Sequence, residues 1–140
     1  MKAPTLLDTG PLVAFLDRRD RYHRWATQQW DQIDPPLLTC ESVLSEACFL
    51  LRDVPEGAPA VLDLIVRGVL RPSFAVEREA AAIRKLISRY ANVPMSLADA
   101  CLVRMAEEHP GSRVLTLDRD FRLFRIHGRQ VIPATMPADL

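Results

Sequence analysis

The chain repeats one local arrangement, in which a short apolar segment ends at an aspartate. Asp8 follows the apolar residues 5–7 and precedes Gly10 and Pro11, and Asp118 follows the apolar residues 114–117. Short apolar segments that end in turn residues are typical of buried strands that lead into helices. If the strands are parallel, both aspartates lie at carboxyl ends of strands, the edge of an open α/β sheet where sites form.

Two further carboxylates lie on apolar faces of predicted helices. Glu46 shares a helical face with Val43 and Leu50, at spacings of three and four residues. Asp99 aligns in the same way with the apolar residues that follow it, such as Leu102. A solvated acid is expected on the polar face of a helix. These positions therefore favour a joint site, in which four gathered acids would repel one another unless a cation were present.

Each acid also has an ordinary structural interpretation. Asp8 is placed to cap the helix that follows it, and Glu46 to pack its stem while its head reaches water. Asp99 follows Ser96 by three residues, which is close to a capping box. Asp118 is in a segment typical of an Asx turn. The joint occurrence of the four acids, rather than any one of them, carries the prediction of a site.

Length and composition limit the class of protein. With 140 residues, 49% of them hydrophobic, we expect residues 1–140 to form one domain with a single core. The 18 basic and 18 acidic residues balance, so no overall field attracts nucleic acid. All the basic residues except Lys2 and Lys85 are arginines, which are suited to bidentate contacts with phosphate.

The cysteines and the first residues predict a cytoplasmic protein. Cys40, Cys48 and Cys101 lack metal-ligand spacing and lie among apolar residues, so we expect reduced thiols in the core. The beginning of the chain does not have the pattern of a signal peptide. No apolar run approaches the length of a membrane span, and we therefore expect no contact with a membrane.

Short strands alternate with helices along the chain, which predicts a parallel sheet with helices on both faces. The strands are predicted at residues 5–7, 37–39, 69–70, 114–117 and 131–132. The helices are predicted at residues 11–16, 23–33, 41–52, 58–67, 76–90 and 97–109, with a short turn or helix at 121–124. Pro11 is expected at the first helical position of its helix, where proline is tolerated.

Four segments together resemble the acidic motifs of PIN-domain ribonucleases, and the VapC-like toxins of bacterial toxin–antitoxin pairs are the closest group. The segments are LDTGPL at 7–12, SE at 45–46, SLADA at 96–100 and TLDRDF at 116–121. The resemblance implies an α/β/α sandwich around a short parallel sheet. It also implies an Mg²⁺ or Mn²⁺ site formed by Asp8, Glu46, Asp99 and a fourth acid, for which Asp118 is favoured over Asp120.

The resemblance also implies an activity and partners. The activity is cleavage of RNA by a metal-dependent endoribonuclease, in which a cation activates water for attack on a phosphodiester. Thr9 and Thr116 occupy the small hydroxyl positions beside the acids and are expected to orient ligands. The expected partners are RNA, a cognate antitoxin bound to helices 41–52 and 58–67, and a second copy of the chain in a homodimer.

Alternative functions and other candidate residues remain open. A solitary PIN nuclease of RNA processing and a non-enzymatic PIN-like binding module are alternatives, as is a magnesium-dependent phosphohydrolase, although the D-x-D-G-T motif of one such class is absent.

Two groups of arginines are placed to hold RNA phosphates, although for the first group a solvated loop is as well supported. They are Arg18, Arg19, Arg21 and Arg24, and Arg119, Arg122, Arg125 and Arg129. Surface or capping roles are predicted for His23, His109 and His127, and helix packing for Trp25 and Trp30.

Overall fold

The structure, a computed structural model, describes residues 3–140 as an α/β fold. The six helices are α1 (Thr9–Leu16), α2 (His23–Gln32), α3 (Glu41–Leu50), α4 (Gly57–Val66), α5 (Val76–Arg89) and α6 (Leu97–Glu108). The seven strands are β1 (Thr5–Leu7), β2 (Leu37–Leu38), β3 (Leu70–Arg71), β4 (Arg113–Leu115), β5 (Arg125–Ile126), β6 (Gln130–Val131) and β7 (Ala134–Thr135). A short 3₁₀ helix, Arg119–Arg122, follows β4.

Five parallel strands form the central sheet in the order β3-β2-β1-β4-β7. The chain moves outwards from β1 to β2 and β3, and then returns across the sheet to β4 on the other side of β1. Right-handed connections therefore place α1 to α4 on one face and α5 and α6 on the other. This confirms the predicted three-layer α/β/α sandwich with a short parallel sheet.

The strand order reverses between β1 and β4. Such a switch point opens a crevice at the carboxyl ends of the two strands, where α/β proteins bind their ligands. Asp8 follows β1 and Asp118 follows the segment after β4, so the two repeated aspartates lie on either side of this crevice.

The core consists of the sheet and the inner faces of the helices. Leu6, Leu7, Val114 and Leu115 of the two central strands are fully or almost fully buried. Trp30 stacks on Phe15 with ring centroids 4.1 Å apart, and Trp25 also packs against the core. The prediction that the tryptophans serve helix packing is confirmed.

Two predictions of local structure are wrong. Helix α1 begins at Thr9, because Asp8 accepts a hydrogen bond from the Thr9 amide and caps the helix there. Pro11 is therefore the third helical residue, still within the first turn, where no amide hydrogen is needed for a helical bond.

The predicted last strand at 131–132 is the second error. Residues 130–131 form β6, which pairs antiparallel with β5 in a separate hairpin. The fifth strand of the main sheet is β7, which lies beside β4. Only Ile132 of the predicted pair reaches the core.

The cysteines agree with the expectation of reduced thiols. Cys40, Cys48 and Cys101 are free thiols, the first and last of them buried and Cys48 partly buried. Among residues 3–140, each helix falls short of the length and apolar character needed to cross a membrane.

An acidic cleft as the candidate active site

A cleft of about 700 Å³ opens at the carboxyl end of the central sheet. It is lined by all four acids predicted from the sequence, together with a fifth carboxylate and several neighbours. These lining residues are Asp8, Thr9, Gly10, Glu46, Leu50, Ser96, Asp99, Leu117, Asp118, Arg119, Asp120 and Leu140. Residues that are far apart in the sequence thus meet in one place.

Asp8 is the most confined of the acids, with 7% of its surface exposed. Its Oδ1 accepts a hydrogen bond of 2.8 Å from the Thr9 amide, and its Oδ2 accepts one of 2.6 Å from the Thr116 hydroxyl. Burial raises the pKa of Asp8 from 3.8 to about 6, opposed by these two hydrogen bonds. The negative charges of Asp99 and Asp118 raise the pKa further. Asp8 is therefore both a helix cap and a member of a charged cluster.

Asp99 combines the same two roles at the start of α6. The Asp99 amide donates to the Ser96 hydroxyl and the Ser96 amide donates to Oδ2 of Asp99, both at 3.0 Å, which completes a capping box. Burial raises the pKa of the Asp99 carboxyl, the bonds to Ser96 lower it, and the charges of Asp118 and Glu46 raise it. The capping box fixes the direction of the side chain rather than excluding it from the site.

Glu46 enters the cleft from α3, at its rim. The side chain is exposed, and its Oε2 accepts a hydrogen bond of 3.3 Å from the Thr9 hydroxyl. Val43 on the same helical face is buried, but Leu50 is exposed. The apolar stripe that was predicted to carry Glu46 is therefore buried only in its first half.

Asp118 begins the 3₁₀ helix after β4. Its Oδ1 accepts a hydrogen bond of 2.9 Å from the Asp120 amide, which is the predicted Asx-type turn. Asp118 and Asp120 are both partly buried, and both line the cleft. The geometry thus brings the two candidates for the fourth acid to the same place.

Two threonines link the acids in pairs. Thr116, which is fully buried, accepts a hydrogen bond of 2.9 Å from the Asp118 amide and donates to Asp8. Thr9 donates its amide to Asp8 and its hydroxyl to Glu46. The hydroxyls predicted to orient the acids are placed to do so.

Gly10 is a cleft residue to which sequence reasoning gave no role. A Cβ atom at this position would lie 3.0 Å from the Cβ of Leu117, a tight contact that would require Leu117 to shift by a few tenths of an ångström. The glycine therefore allows the first turn of α1 to approach the segment that carries Asp118. The sequence signal for this role is Gly10 itself, which lies two residues after Asp8 and directly before the predicted helix at 11–16.

The donor atoms fit a hard divalent cation. Within residues 3–140, the side chains of Glu46, Asp99 and Asp118 each accept these hydrogen bonds at one oxygen only, Oε2, Oδ2 and Oδ1 respectively, which leaves the second oxygen of each for a cation. Carboxylate oxygens without histidine or cysteine are the donors that Mg²⁺ and Mn²⁺ prefer. The acids are close enough for the charges of Asp99 and Asp118 to raise the pKa of Asp8, and for the charges of Asp118 and Glu46 to raise the pKa of Asp99.

The same acids are not already arranged as a finished coordination shell. In the described part of the chain, no group of three or more His, Cys, Asp and Glu side chains is placed to hold an ion. The carboxylates instead accept hydrogen bonds from nearby hydroxyl and amide groups.

The histidines lie apart from the cleft, as predicted. The His23 ring bonds to the carbonyl oxygen of Ala14 at 2.8 Å, His109 ends α6, and His127 lies in the hairpin turn with a φ of 52°. Their capping and turn positions exclude them from the acidic cleft.

Arginines from both predicted groups lie near the cleft. Arg119 lines it, while Arg18 and Arg19 line an adjoining depression that shares Leu50 with it. Arg21 pairs with Asp139 rather than with an aspartate of its own loop. No pattern in the sequence indicates this partner.

Comparison with known proteins agrees with this arrangement. The sequence model of the PIN domain family matches residues 5–126. A solved structure of VapC20 of Mycobacterium tuberculosis, described as a Sarcin-Ricin loop cleaving toxin, superposes with a TM-score of 0.69. The match covers 79% of this chain and 86% of that one at 21% identity, so it concerns the fold. No curated protein matches the chain.

The family match includes all four acidic motifs and the whole of the β1–β4 switch point. The family model covers residues 5–126, which is most of the chain. The likeness of the fold to that of VapC20 agrees with this family. This chain belongs to the PIN domain family, the nuclease family that its acidic motifs resemble.

Proposed function

We propose that this protein is a metal-dependent endoribonuclease and the toxin of a toxin–antitoxin pair in the cytoplasm. In this proposal residues 1–140 form one PIN domain, and Asp8, Glu46, Asp99 and Asp118 hold Mg²⁺ or Mn²⁺. The observation that carries the proposal is the convergence of these acids in one cleft at the switch point of the sheet.

The chain's own residues prepare the cleft for this chemistry. Thr9 and Thr116 hold Asp8 in a fixed orientation, and the capping box does the same for Asp99. Arg119, on the cleft wall, is placed to contact a phosphate of the RNA backbone. The chemistry that a bound cation supplies is Lewis-acid activation of water and of the phosphodiester.

The raised pKa values of Asp8 and Asp99 are consistent with this role. Burial and mutual repulsion oppose ionisation of both carboxyls, and a nearby cation favours the ionised form. Cation binding is therefore expected to release protons and to become weaker as the pH falls.

Exposed apolar residues support a protein partner. Phe49 and Leu50 on α3 and Leu62 and Val66 on α4 are large, exposed side chains, on the two helices predicted to receive the antitoxin. Large exposed apolar side chains on two neighbouring helices support an interaction site there. The VapC20 structure is that of a toxin, which supports the same partner class here. The predicted homodimer stays a prediction.

Cleavage of RNA tests the proposal directly. We expect labelled single-stranded RNA to be cut in millimolar Mg²⁺ or Mn²⁺ and to stay intact in EDTA. Equal cleavage under both conditions would exclude metal dependence. Intact RNA under both conditions would contradict the endoribonuclease assignment.

Co-expression tests the toxin assignment separately. We expect the product of an adjacent gene to relieve growth inhibition by this protein. Nuclease activity without relief by any adjacent reading frame would favour the alternative, a solitary PIN nuclease of RNA processing.

A further inference from the structure

The segment 139–140 reaches the acidic cleft. Leu140 lines the cleft itself. The adjacent Asp139 accepts hydrogen bonds at Oδ2 from Nη2 of Arg21, at 3.2 Å, and from the Tyr22 hydroxyl, at 3.4 Å. Arg122 donates from Nη2 to the carbonyl oxygen of Leu140, at 2.9 Å. The segment thus joins one arginine from each of the two groups that flank the site.

Arg21, Tyr22 and Arg122 lie at the edge of the cleft. Arg122 belongs to the same 3₁₀ helix as Arg119, which lines the cleft. Asp139 is one residue from Leu140, a Cα spacing of about 3.8 Å. Residues 139–140 thus connect the acidic cleft with Arg21, Tyr22 and Arg122, and we expect an RNA strand bound at the acids to extend towards these donors.

The chemistry of these donors matches a phosphate. A carboxylate oxygen between a guanidinium and a phenol hydroxyl has the same charge and the same acceptor role as a phosphate oxygen. Arg125 is more fully engaged, because its guanidinium donates to two carbonyl oxygens, those of Arg122 and Phe124, whereas Arg122 donates to one, that of Leu140. The pair formed by Arg21 and Asp139 is largely solvated, with 77% and 53% of the side chains exposed, so it is weak enough to be displaced.

We propose that Arg21, Tyr22 and Arg122 form a backbone-phosphate subsite for RNA, and that residues 139–140 occupy it as an intramolecular competitor, with Asp139 bound to Arg21 and Tyr22 and the carbonyl oxygen of Leu140 bound to Arg122. RNA binding then requires Asp139 to leave Arg21 and Tyr22. The inference rests on the proposed function, because it names where the substrate of the same cleft continues beyond the acids.

The test measures binding in EDTA, so that it does not depend on cleavage. The probes are a short labelled single-stranded RNA, followed by fluorescence anisotropy at low salt, and tripolyphosphate as a competitor. Asp139→Asn is expected to lower the Kd for RNA by about twofold to fivefold. The matched control is Asp63→Asn, which removes the same charge from a similar exposed pair with Arg67, at 3.3 Å, and is expected to leave the Kd unchanged.

A double-mutant cycle separates competition from a general effect of charge. In an Arg21→Gln background the effect of Asp139→Asn is expected to disappear, because the subsite has lost its main donor. Three results would each overturn the proposal. They are an effect of Asp139→Asn on the Kd that persists in the Arg21→Gln background, equal effects of Asp139→Asn and Asp63→Asn on the Kd, and no binding of either probe. If Asp139→Asn tightens binding but no variant cleaves RNA in Mg²⁺, the subsite stands and the endoribonuclease assignment fails. Cleavage without any effect of Asp139→Asn on binding overturns the subsite alone.

Discussion

The two ends of the central sheet carry clefts of opposite chemistry. The acidic cleft at the carboxyl end has a volume of about 700 Å³ and five carboxylates on its wall. The cleft at the amino end, about 400 Å³, is mostly apolar, with the Asp63–Arg67 pair among its lining residues. Its other lining residues are Phe15, Leu16, Trp30, Ile33, Pro35, Leu37, Ala60, Leu64 and Val69.

The same elements supply both clefts. Helix α1 begins at Thr9 in the acidic cleft and ends at Leu16 in the apolar one. The strand β2 begins with Leu37 at the apolar end. Burial stabilises the fold at one end, whereas at the other end it raises the pKa values of acids and opposes their ionisation. The chain therefore concentrates unfavourable charge at one edge of the sheet and places apolar packing at the other.

The largest effect expected from this difference between the two clefts is on the rate of RNA cleavage. Asp99→Asn should reduce RNA cleavage at least about 100-fold, because it removes a proposed cation ligand. The fold should persist, since the amide oxygen of asparagine can still accept the hydrogen bond from Ser96. Asp63→Asn, the same change in the apolar cleft, should cleave at the wild-type rate. Full turnover by folded Asp99→Asn would remove Asp99 from the site.

A large stability effect is expected at the apolar end. Leu37 is 1% exposed, and Leu37→Ala should lower the free energy of unfolding by about 2–5 kcal/mol through lost burial and a cavity. Urea unfolding measures this change. The cleavage rate per folded molecule should stay close to that of the wild type. A selective loss of cleavage in fully folded Leu37→Ala would show that the two ends are not independent.

A smaller and pH-dependent effect is expected from Asp8. Its pKa is raised in the folded state to about 6, so the stability linked to it is present below pH 3.8 and is lost as the pH rises through 6. In EDTA, Asp8→Asn should therefore be more stable than the wild type at pH 7, by about 1–3 kcal/mol. The advantage should shrink towards pH 4, where folded Asp8 is protonated. Urea unfolding at both pH values checks this, and a difference that does not vary with pH would contradict it.

The long periodic segments and the acidic motifs were predictable from the sequence. Helices α5 and α6 occur close to their expected positions, because apolar residues repeat there with a helical period. Strand β1 occurs at the short apolar run that predicted it, and the meeting of Asp8 with Asp118 follows from two such runs that end at acids. The order of the strands in the sheet was not predicted. Local sequence thus determined which elements form around the switch point.

Other features depend on tertiary contacts and left little trace in the sequence. Strand β7 has two residues, too few for any period, and the apolar pair at 131–132 is the stronger local signal for a last strand. Glu46 is exposed because α3 leaves part of its apolar stripe uncovered. The contact between Arg21 and Asp139 spans 118 positions and joins two exposed side chains, which no local pattern predicts.

Thermal melting in the presence and absence of a divalent cation tests the central claim that the four acids form one cation site. The wild type and Asp63→Asn should melt at a higher temperature in millimolar Mg²⁺ or Mn²⁺ than in EDTA, because the cation binds the folded state. Asp8→Asn should melt higher than the wild type in EDTA and gain less from the cation. A wild type that is indifferent to both cations, together with an unchanged melting temperature for Asp8→Asn in EDTA, would contradict a joint cation site.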